Sequence, residues 1–299
     1  MKSLKMKIGY FADGPWSHRA LSKIFADETL EVVFICARYD NPDPILREIA
    51  SNSDTPFLIH PNINSKEFTM LIAGMDCDLF ISMSFNQIFR KQMINFPRLA
   101  TINCHAGKLP SYRGRNVLNW ALINDEKEFG ITVHYVDEGV DTGDILLQEA
   151  YPITDDDNYH SLLGRAYLGC ADLLYLAIKK IQTGTATRTP QASIHPVGFY
   201  CPSRRVGDEF LNWNLSSRNI FNFVRAICYP GPQARTSNNG FAVKINRVEL
   251  IDGAPSYIGV NGAVLQKENG TLLVKTGDSF IRIVEWSSET VINVGDRFN

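Results

Sequence analysis

Short apolar runs and polar, helix-like stretches alternate along the first half of the chain. The apolar runs predict buried strands at residues 6–11, 30–37, 57–59, 78–83 and 99–103. The stretches between them predict helices at residues 16–26, 44–50, 67–73 and 117–124. This alternation predicts an α/β fold with a Rossmann-like, mostly parallel sheet and helices on both faces. In such a sheet, ligands bind outside the carboxyl ends of the strands.

The second half of the chain is predicted to become rich in β-structure. Strands at 129–136 and 145–153 flank the turn DEGVDTGD, and a long helix at 159–181 follows the acidic capping residues 154–158. Residues 184–208 lack periodicity and predict a surface linker. A helix at 216–228 and strands at 241–250, 257–265, 271–276 and 279–286 predict a small antiparallel, OB-like barrel or sandwich. The predicted organisation is therefore a catalytic domain at 1–183, a linker at 184–208 and a smaller β-rich domain at 209–299.

Composition excludes several classes of protein. The 299 residues carry 30 Lys and Arg against 32 Asp and Glu, and this formal net charge of -2 argues against a dedicated nucleic-acid binder. No run of about 18 apolar residues occurs, so no membrane span is predicted. Six scattered cysteines without a C-x-x-C pair indicate reduced thiols in a cytoplasmic protein. No metal site is predicted.

Several common catalytic motifs do not fit the sequence. Gly9 and Gly14 have P-loop spacing, but Pro15 and Trp16 stand where the lysine and hydroxyl would be needed. No G-x-G-x-x-G follows the first strand, and no G-x-S-x-G or H-E-x-x-H occurs. Nucleotide hydrolysis, dinucleotide chemistry, serine hydrolysis and zinc proteolysis therefore lack support.

The most informative stretch is residues 101–144. Asn103 and His105 end a predicted strand, and positions two apart in an extended chain point to the same side. Asp141 lies in a later loop that is expected at the same end of the sheet. An amide donor, an imidazole and a carboxylate together suit acyl transfer, as oxyanion donor, proton acceptor and orienting charge. From spacing alone, ordinary turn or surface roles stay open for all three.

The same stretch resembles the folate-dependent formyltransferase family, in which an Asn-x-His pair precedes a Leu-Pro-x-Tyr-Arg-Gly loop and a distant Asp. Those positions are here Asn103, His105, Leu109, Pro110, Tyr112, Arg113, Gly114 and Asp141. The resemblance is strong over residues 80–150 and looser over the whole chain. The runs RGRNVLNWALIN, FGITVHYVDEGVDTGDIL, YPGPQART and VINVGDRF are similar to the branch that formylates nucleotide-linked amino sugars.

This resemblance implies transfer of a formyl group from 10-formyltetrahydrofolate, a co-substrate, to a nucleotide-linked amino sugar. The implied acceptor is dTDP-4-amino-4,6-dideoxyglucose or a similar sugar, used in surface polysaccharide (O-antigen) synthesis. In this scheme Asn103 donates to the oxyanion and His105 accepts the amine proton, while Asp141 orients His105. The implied partners are folate and the sugar nucleotide, without nucleic acid, membrane or metal, and a homodimer is expected.

The resemblance also implies which residues bind the two substrates. For the pterin they are Ser84, Phe85, Gln87 and Ile88 in one loop and Glu138, Gly139, Val140 and Asp141 in a second. For the sugar nucleotide they are Gly14, Pro15, Trp16, Lys108, Tyr112, Arg113, Arg115, Arg204, Trp213, Arg225 and Tyr229. Cationic and aromatic side chains suit phosphates and a base, and a helix start can face an anion. Each of these residues could equally serve in packing or in a surface ion pair.

Other functions stay open at this point. The nearest is formylation of methionyl-tRNA, and another is formylation of UDP-4-amino-4-deoxy-L-arabinose. A tRNA would demand a basic surface, yet residues 38–56 carry Arg38 and Arg47 against four acidic residues. A hydrolase that releases formate and a non-catalytic, folate-binding regulatory protein are further alternatives.

Overall fold

The structure is a computed structural model that describes residues 5–299. Its strands are β1 Met6–Ala12, β2 Leu30–Ala37, β3 Phe57–Ile59, β4 Leu79–Met83, β5 Ala100–His105, β6 Arg113–Gly114, β7 Glu128–Tyr135, β8 Ile145–Pro152, β9 Tyr200–Cys201, β10 Ala234–Asn238, β11 Phe241–Glu249, β12 Val264–Glu268, β13 Thr271–Lys275 and β14 Phe280–Ser288. Its helices are α1 Gly14–Phe25, α2 Pro44–Asn52, α3 Lys66–Ile72, α4 Lys91–Ile94, α5 Val117–Ile123, α6 Tyr159–Gln182, α7 Gln191–Ile194 and α8 Ser217–Ile227.

Seven strands form one sheet in the order β3-β2-β1-β4-β5-β7-β8. The pairs β1–β2, β1–β4, β2–β3 and β4–β5 are parallel, whereas β5 and β7 are antiparallel. The predicted α/β class with a mostly parallel sheet is therefore confirmed. The reversal at β7 matters for the site, because it sets residues of β7 directly beside the carboxyl end of β5.

Aromatic rings fill the core on one side of this sheet. Phe11 lies edge-on to Phe34, Phe80 and Phe89, with ring centroids 5.3, 5.1 and 4.9 Å apart. Edge-to-face pairs at these distances stabilise a core beyond the area they bury. Because β1, β2 and β4 are buried along most of their length, their sequences are mostly apolar and do not alternate.

Helix α6 is the one helix within residues 5–299 that is long and apolar enough to cross a membrane by length and composition. Half of its most apolar window is buried inside the protein. Its buried residues include Ala166, Cys170, Leu174, Ala177 and Ile178, which keep a helical period. Packing of this face accounts for the apolar sequence.

The chain divides into two compact units that are each discontinuous in sequence. One contains residues up to Arg115 with Gly130–Tyr151 and Arg165–Tyr200, and the other contains Asn116–Phe129, Pro152–Gly164 and Cys201–Asn299. The second unit thus includes two segments from within the predicted catalytic domain. The functional boundaries at residues 183 and 208 stay a prediction.

An antiparallel sheet, in the order β10-β11-β14-β13-β12, forms the β-rich part of the second unit. The terminal residues bridge both of its edges, because Arg297 pairs with Ala263 next to β12 and Phe298 pairs with Asn238 of β10. These bridges cover part of both edges of the sheet. The predicted antiparallel β-rich domain is confirmed, and the choice between barrel and sandwich stays a prediction.

Two predictions about local structure in this region are wrong. Residues 257–262 form no strand, because Gly259 and Gly262 interrupt the apolar run, and Gly262 has a φ of +81°. Strand β10 was not predicted, since its sequence ARTSN contains no apolar run. Its alternating burial is nevertheless typical of a strand with one face in the core.

Candidate active site

The carboxyl end of β5 carries the predicted Asn-x-His pair. Asn103 pairs with His134 across the β5–β7 ladder, and His105 pairs with Thr132. The Nδ2 atom of Asn103 lies 3.0 Å from Nε2 of His134. Because positions two apart share a face, Asn103, His105 and His134 meet on one side of the sheet.

Asp141 completes this group from the loop between β7 and β8. Its Oδ2 atom accepts a hydrogen bond from the Gly114 backbone N–H at 2.8 Å and lies 3.7 Å from Nδ1 of His105. Its Oδ1 atom lies 3.5 Å from Nε2 of His134. Asp141 has a φ of +56°, a left-handed conformation that aspartate tolerates better than most residues. The loop therefore aims the carboxylate back between two imidazoles.

The surroundings of Asp141 favour its ionised form. Burial by itself would raise the pKa of this carboxyl group. The charge of His105 and the hydrogen bond donated by the Gly114 N–H act in the opposite direction, and the pKa lies well below its usual value. The site thus contains a partly buried negative charge that can stabilise a protonated imidazole.

The ring of His105 is fixed by the loop that follows β5. Its Nε2 lies 2.7 Å from the backbone carbonyl oxygen of Tyr112, which can only accept, so Nε2 carries the hydrogen. In the neutral ring, Nδ1 is then the free basic nitrogen, and it is the atom next to Asp141. Tyr112 itself has a φ of +55° and buries its ring 4.9 Å from that of Phe199.

Gln191 connects the parts of this site. Its Oε1 accepts from the guanidinium of Arg113 at 2.6 Å. Its Nε2 donates to the carbonyl oxygens of Asp141 and Gly143, both at 2.8 Å. Gln191 is 4% exposed and lies in the segment predicted to be a surface linker, so that prediction is wrong at this position.

We expect Gln191→Glu to lower kcat about tenfold to hundredfold, because an isosteric carboxylate keeps the acceptor for Arg113 but repels the two carbonyl oxygens it faces. Leaving buried carbonyl oxygens without a hydrogen-bond donor costs about 1–3 kcal/mol of folding free energy, so thermal stability should fall as well. Ser193→Ala is the matched control, since this exposed hydroxyl on the same short helix bonds only to the Pro190 carbonyl oxygen. Steady-state kinetics and thermal melting of both variants measure the effect, and unchanged kinetics in Gln191→Glu would contradict it.

Two side chains of the first predicted pterin loop already have partners within the protein. Gln87 donates to the His60 carbonyl oxygen at 2.8 Å and accepts from the Ile63 N–H at 2.9 Å, so its side chain is not directed at a ligand. Phe85 packs on Phe11 at 5.6 Å, within the same apolar cluster that Val136 contacts. Side-chain recognition by Gln87 is therefore not supported.

These loops also present exposed side chains, two of them apolar. Ser84 begins its loop with a φ of +58°. Ile88 is 48% exposed and Val140 is 45% exposed, while Glu138 and Gly139 are also exposed. Loops that present exposed apolar side chains fit the faces of a flat heterocycle such as a pterin.

The start of α1 is already neutralised by a carboxylate. The Gly14 N–H donates to Asp43 Oδ2 at 2.7 Å, and the same oxygen lies 2.7 Å from Nε2 of His18. Burial would raise the pKa of Asp43, but these contacts lower it. Trp16 packs edge-on to Tyr167 at 4.6 Å, and Pro15 is exposed in the first turn. The predicted binding of a substrate anion at this helix start is therefore not supported.

The basic residues after β5 differ in what they contact. Arg113 is bound to Gln191 and lies over the Tyr200 ring at 5.6 Å, which makes it a structural anchor. Lys108 is exposed. Arg115 is also exposed, and within the described part of the chain no ion pair or hydrogen bond of its guanidinium is seen. Since Arg115 follows Gly114, it is the arginine best placed to meet an anion near Asp141.

In the second unit, most of the predicted substrate residues have structural partners. Trp213 is buried, donating to Thr236 at 2.9 Å and packing against Phe298 at 5.6 Å. Arg225 is buried and donates to the Thr154 carbonyl oxygen at 2.6 Å.

The other two residues of that set are more accessible. The guanidinium of Arg204 lies 5.3 Å from the ring centroid of Phe223, whereas the Tyr229 side chain is 71% exposed. Direct substrate contact by Trp213 and Arg225 is therefore not supported, because both side chains are enclosed by their own unit.

Two family models match the chain. Formyl transferase matches residues 10–167, which is more than half of the sequence, and formyl transferase, C-terminal domain, matches residues 205–293. The chain belongs to the folate-dependent formyltransferase family.

This formyltransferase is similar in sequence to methionyl-tRNA formyltransferases. It is 34% identical over 251 residues to the protein from Pelotomaculum thermopropionicum, covering 83% of this chain and 77% of that relative. It is 30% identical over 288 residues to the protein from Fusobacterium nucleatum, covering 91% of each.

Its solved structural neighbours include sugar formyltransferases. WlaRD, a sugar 3N-formyl transferase determined in the presence of dTDP and 5-N-formyl-THF, superimposes with a TM-score of 0.70 at 19% identity, covering 98% of this chain and 100% of WlaRD. An N-formyltransferase from Helicobacter canadensis, in complex with folinic acid and dTDP-3-aminofucose, gives a TM-score of 0.67 at 20% identity, covering 95% and 100%. At these identities the likeness shows a shared fold.

Two residues of the formyltransferase that touch the predicted catalytic group were not predicted to do so. The sequence alone does not single out His134, although the period of two along β7 places it on the same face as Thr132. Antiparallel pairing of β7 with β5 was the missing information. Gln191 carried no signal, because a lone glutamine in a segment without periodicity resembles any other surface residue.

Proposed function

We propose that the enzyme transfers the formyl group of 10-formyltetrahydrofolate to the amine of a nucleotide-linked amino sugar. The proposed acceptor is dTDP-4-amino-4,6-dideoxyglucose or a close analogue, formylated for surface polysaccharide synthesis. Membership of the family supports the donor, and the charge of residues 38–56, a segment that includes α2, supports the acceptor. The charge of this segment is the observation that carries the choice of a sugar over tRNA.

The proposed chemistry uses the three clustered groups. A neutral amine attacks the formyl carbon, and the formyl oxygen gains negative charge that an Asn103 N–H stabilises. His105 takes the amine proton at Nδ1, and Asp141, 3.7 Å away, stabilises the imidazolium that forms. The new amide bond then forms as the bond from carbon to the folate nitrogen breaks. That nitrogen leaves with a proton returned from His105.

The segment of residues 38–56, which includes α2, has few cationic groups to bind a polyanion. Its formal charge is -2 from two arginines and four acids, and both arginines already have partners. Arg38 lies 3.1 Å from the carboxylate of Asp13, and the Arg47 guanidinium stacks over Phe57 at 4.7 Å from the ring centroid. Binding a tRNA requires several cations that neutralise phosphates. A sugar nucleotide has only two phosphates, so it needs far fewer cationic side chains than a tRNA does.

Methionyl-tRNA is the second candidate acceptor, and it is favoured by the names of the relatives at 30–34% identity. The two candidates differ in size and charge, so one assay separates them.

The full-length protein is incubated with 10-formyltetrahydrofolate and, in turn, with dTDP-, UDP- and GDP-linked amino sugars and methionyl-tRNA. Mass spectrometry then scores the mass gained by each acceptor, with Asn103→Ala as the control for contaminating activity. We expect formylation of a dTDP-linked 4-amino sugar and none of the tRNA. Formylation of tRNA alone would overturn the proposal, and release of formate without any acceptor would indicate a hydrolase.

A further inference from the structure

His134 is the buried residue that contacts both Asn103 and Asp141. Its side chain is 3% exposed. Its Nε2 lies 3.0 Å from Asn103 Nδ2 and 3.5 Å from Asp141 Oδ1. Its Nδ1 lies 2.8 Å from the backbone carbonyl oxygen of Tyr135. No step of the proposed chemistry uses this imidazole, so its contacts need another explanation.

The contact with Tyr135 determines which nitrogen carries the hydrogen. A carbonyl oxygen only accepts, so Nδ1 of His134 is the donor. In the neutral ring, Nε2 then presents a lone pair, which accepts one hydrogen of the Asn103 amide nitrogen. An amide nitrogen has two hydrogens, so this contact leaves the second N–H free to donate elsewhere.

Protonation of the ring would reverse this arrangement. A hydrogen on Nε2 would point toward Asp141 and toward the position now held by the Asn103 amide nitrogen. The Asn103 carboxamide would then turn over and present its oxygen to His134. A carboxamide in that orientation no longer directs the same N–H toward a developing oxyanion.

We propose that His134 is a positioning residue that holds the Asn103 carboxamide in its donating orientation. The neutral ring with its hydrogen on Nδ1, fixed by the Tyr135 carbonyl oxygen, accepts from Asn103 and sets which amide atom faces the formyl oxygen. The inference rests on the proposed role of Asn103 as oxyanion donor. It adds a residue that acts through Asn103 without itself touching either substrate.

The first test compares two variants of His134. His134→Phe keeps a buried ring and removes the acceptor, and we expect kcat to fall about tenfold to hundredfold, less than the loss from deleting an oxyanion donor. KM for the donor and the acceptor should change by about twofold or less, because ground-state binding is untouched. His134→Gln restores a side-chain acceptor and should recover about tenfold of the lost kcat. Ile131→Val, a conservative change on the same buried strand, controls for general loosening of β7.

A double-variant cycle with Asn103→Ala distinguishes positioning from an independent role. If His134 acts only through Asn103, adding His134→Phe to Asn103→Ala should lower kcat by no more than about twofold. Multiplicative losses would overturn the inference, as would wild-type kcat in His134→Phe. If His134→Phe does not fold, His134→Leu takes its place in the cycle. Wild-type kcat in Asn103→Ala would instead remove the proposed role of Asn103, whatever His134 does.

Discussion

Asp141→Asn is expected to lower kcat by about three orders of magnitude while the protein stays folded. The carboxylate lies between two imidazoles, and asparagine keeps its shape and tolerates the same left-handed φ but cannot stabilise an imidazolium. Steady-state kinetics with a saturating acceptor measures the change. Asp144→Asn is the matched control, since this carboxylate is in the same loop and its ion-pair contact is Arg188 at 4.0 Å. Equal losses in the two variants would show that the loop, not the charge, is responsible.

The wild-type protein and Asp141→Asn should also differ in the free energy of unfolding, and this difference should depend on pH. Because the pKa of Asp141 is depressed in the folded state, ionised Asp141 stabilises the fold above its unfolded pKa of about 3.9. That stabilisation is lost as pH falls through the lower, folded value. Asparagine resembles the protonated acid, so wild type should be more stable than Asp141→Asn at pH 7, and the difference should shrink below about pH 4. Chemical denaturation across this pH range measures it, and a pH-independent difference would contradict the assignment.

Gly107→Ala is expected to lower kcat about a hundredfold or more, although the position is outside the catalytic group. A Cβ at residue 107 would lie 2.4 Å from both His105 Nε2 and the Tyr112 carbonyl oxygen, which are bonded to each other. To make room, either the Tyr112 backbone or the His105 ring, the proposed base, would have to move, and this would break the hydrogen bond between them. Forcing atoms into a packed site also costs about 1–3 kcal/mol of folding free energy.

The effect of Gly107→Ala is steric and not conformational, since its backbone φ lies outside the positive region that disfavours alanine. Gly74→Ala is therefore a fair control, because an added Cβ there meets nothing within 4 Å and the position is exposed. We expect Gly74→Ala to keep wild-type kcat. Near-native kcat in Gly107→Ala would mean that the His105 ring position is not needed for turnover.

The strands of the α/β sheet were predictable because buried strands have mostly apolar sequences. Strand β2 was predicted with its observed bounds, and β1 and β3 with nearly or fully the same bounds, since each is mostly a run of apolar residues. Strand β10 could not be found in this way, because its ARTSN sequence owes its place to pairing with β11. The predicted strand at 257–265 was wrong for the opposite reason: it has apolar residues, but the chain joins a sheet only from Val264 onward.

The proposed catalytic group likewise has features that the sequence predicts and features that depend on tertiary contacts. Asn103, His105 and Asp141 were predicted from residue types, from their position at strand ends and from the family resemblance, and the structure brings them together around His134. Their roles in transfer stay a proposal. Arg113 and Gln87 were expected to meet ligands, but each is bound to another part of the fold. Sequence shows that a side chain can bind an anion or an amide, but not whether a closer partner already occupies it.

The sequence by itself determined most strands and helices of the α/β sheet, the family and the three residue types of the site, because these depend on local apolar periodicity and on a spaced motif. Only the tertiary structure decided that β7 runs against β5, that His134 therefore faces Asn103, and that Gln191 ties Arg113 to the Asp141 loop. Those contacts join residues that are from 27 to 78 positions apart along the chain. Pairing at that range is decided by which packed arrangement buries the most apolar surface and satisfies the most polar groups, a property of the whole fold and of no single segment.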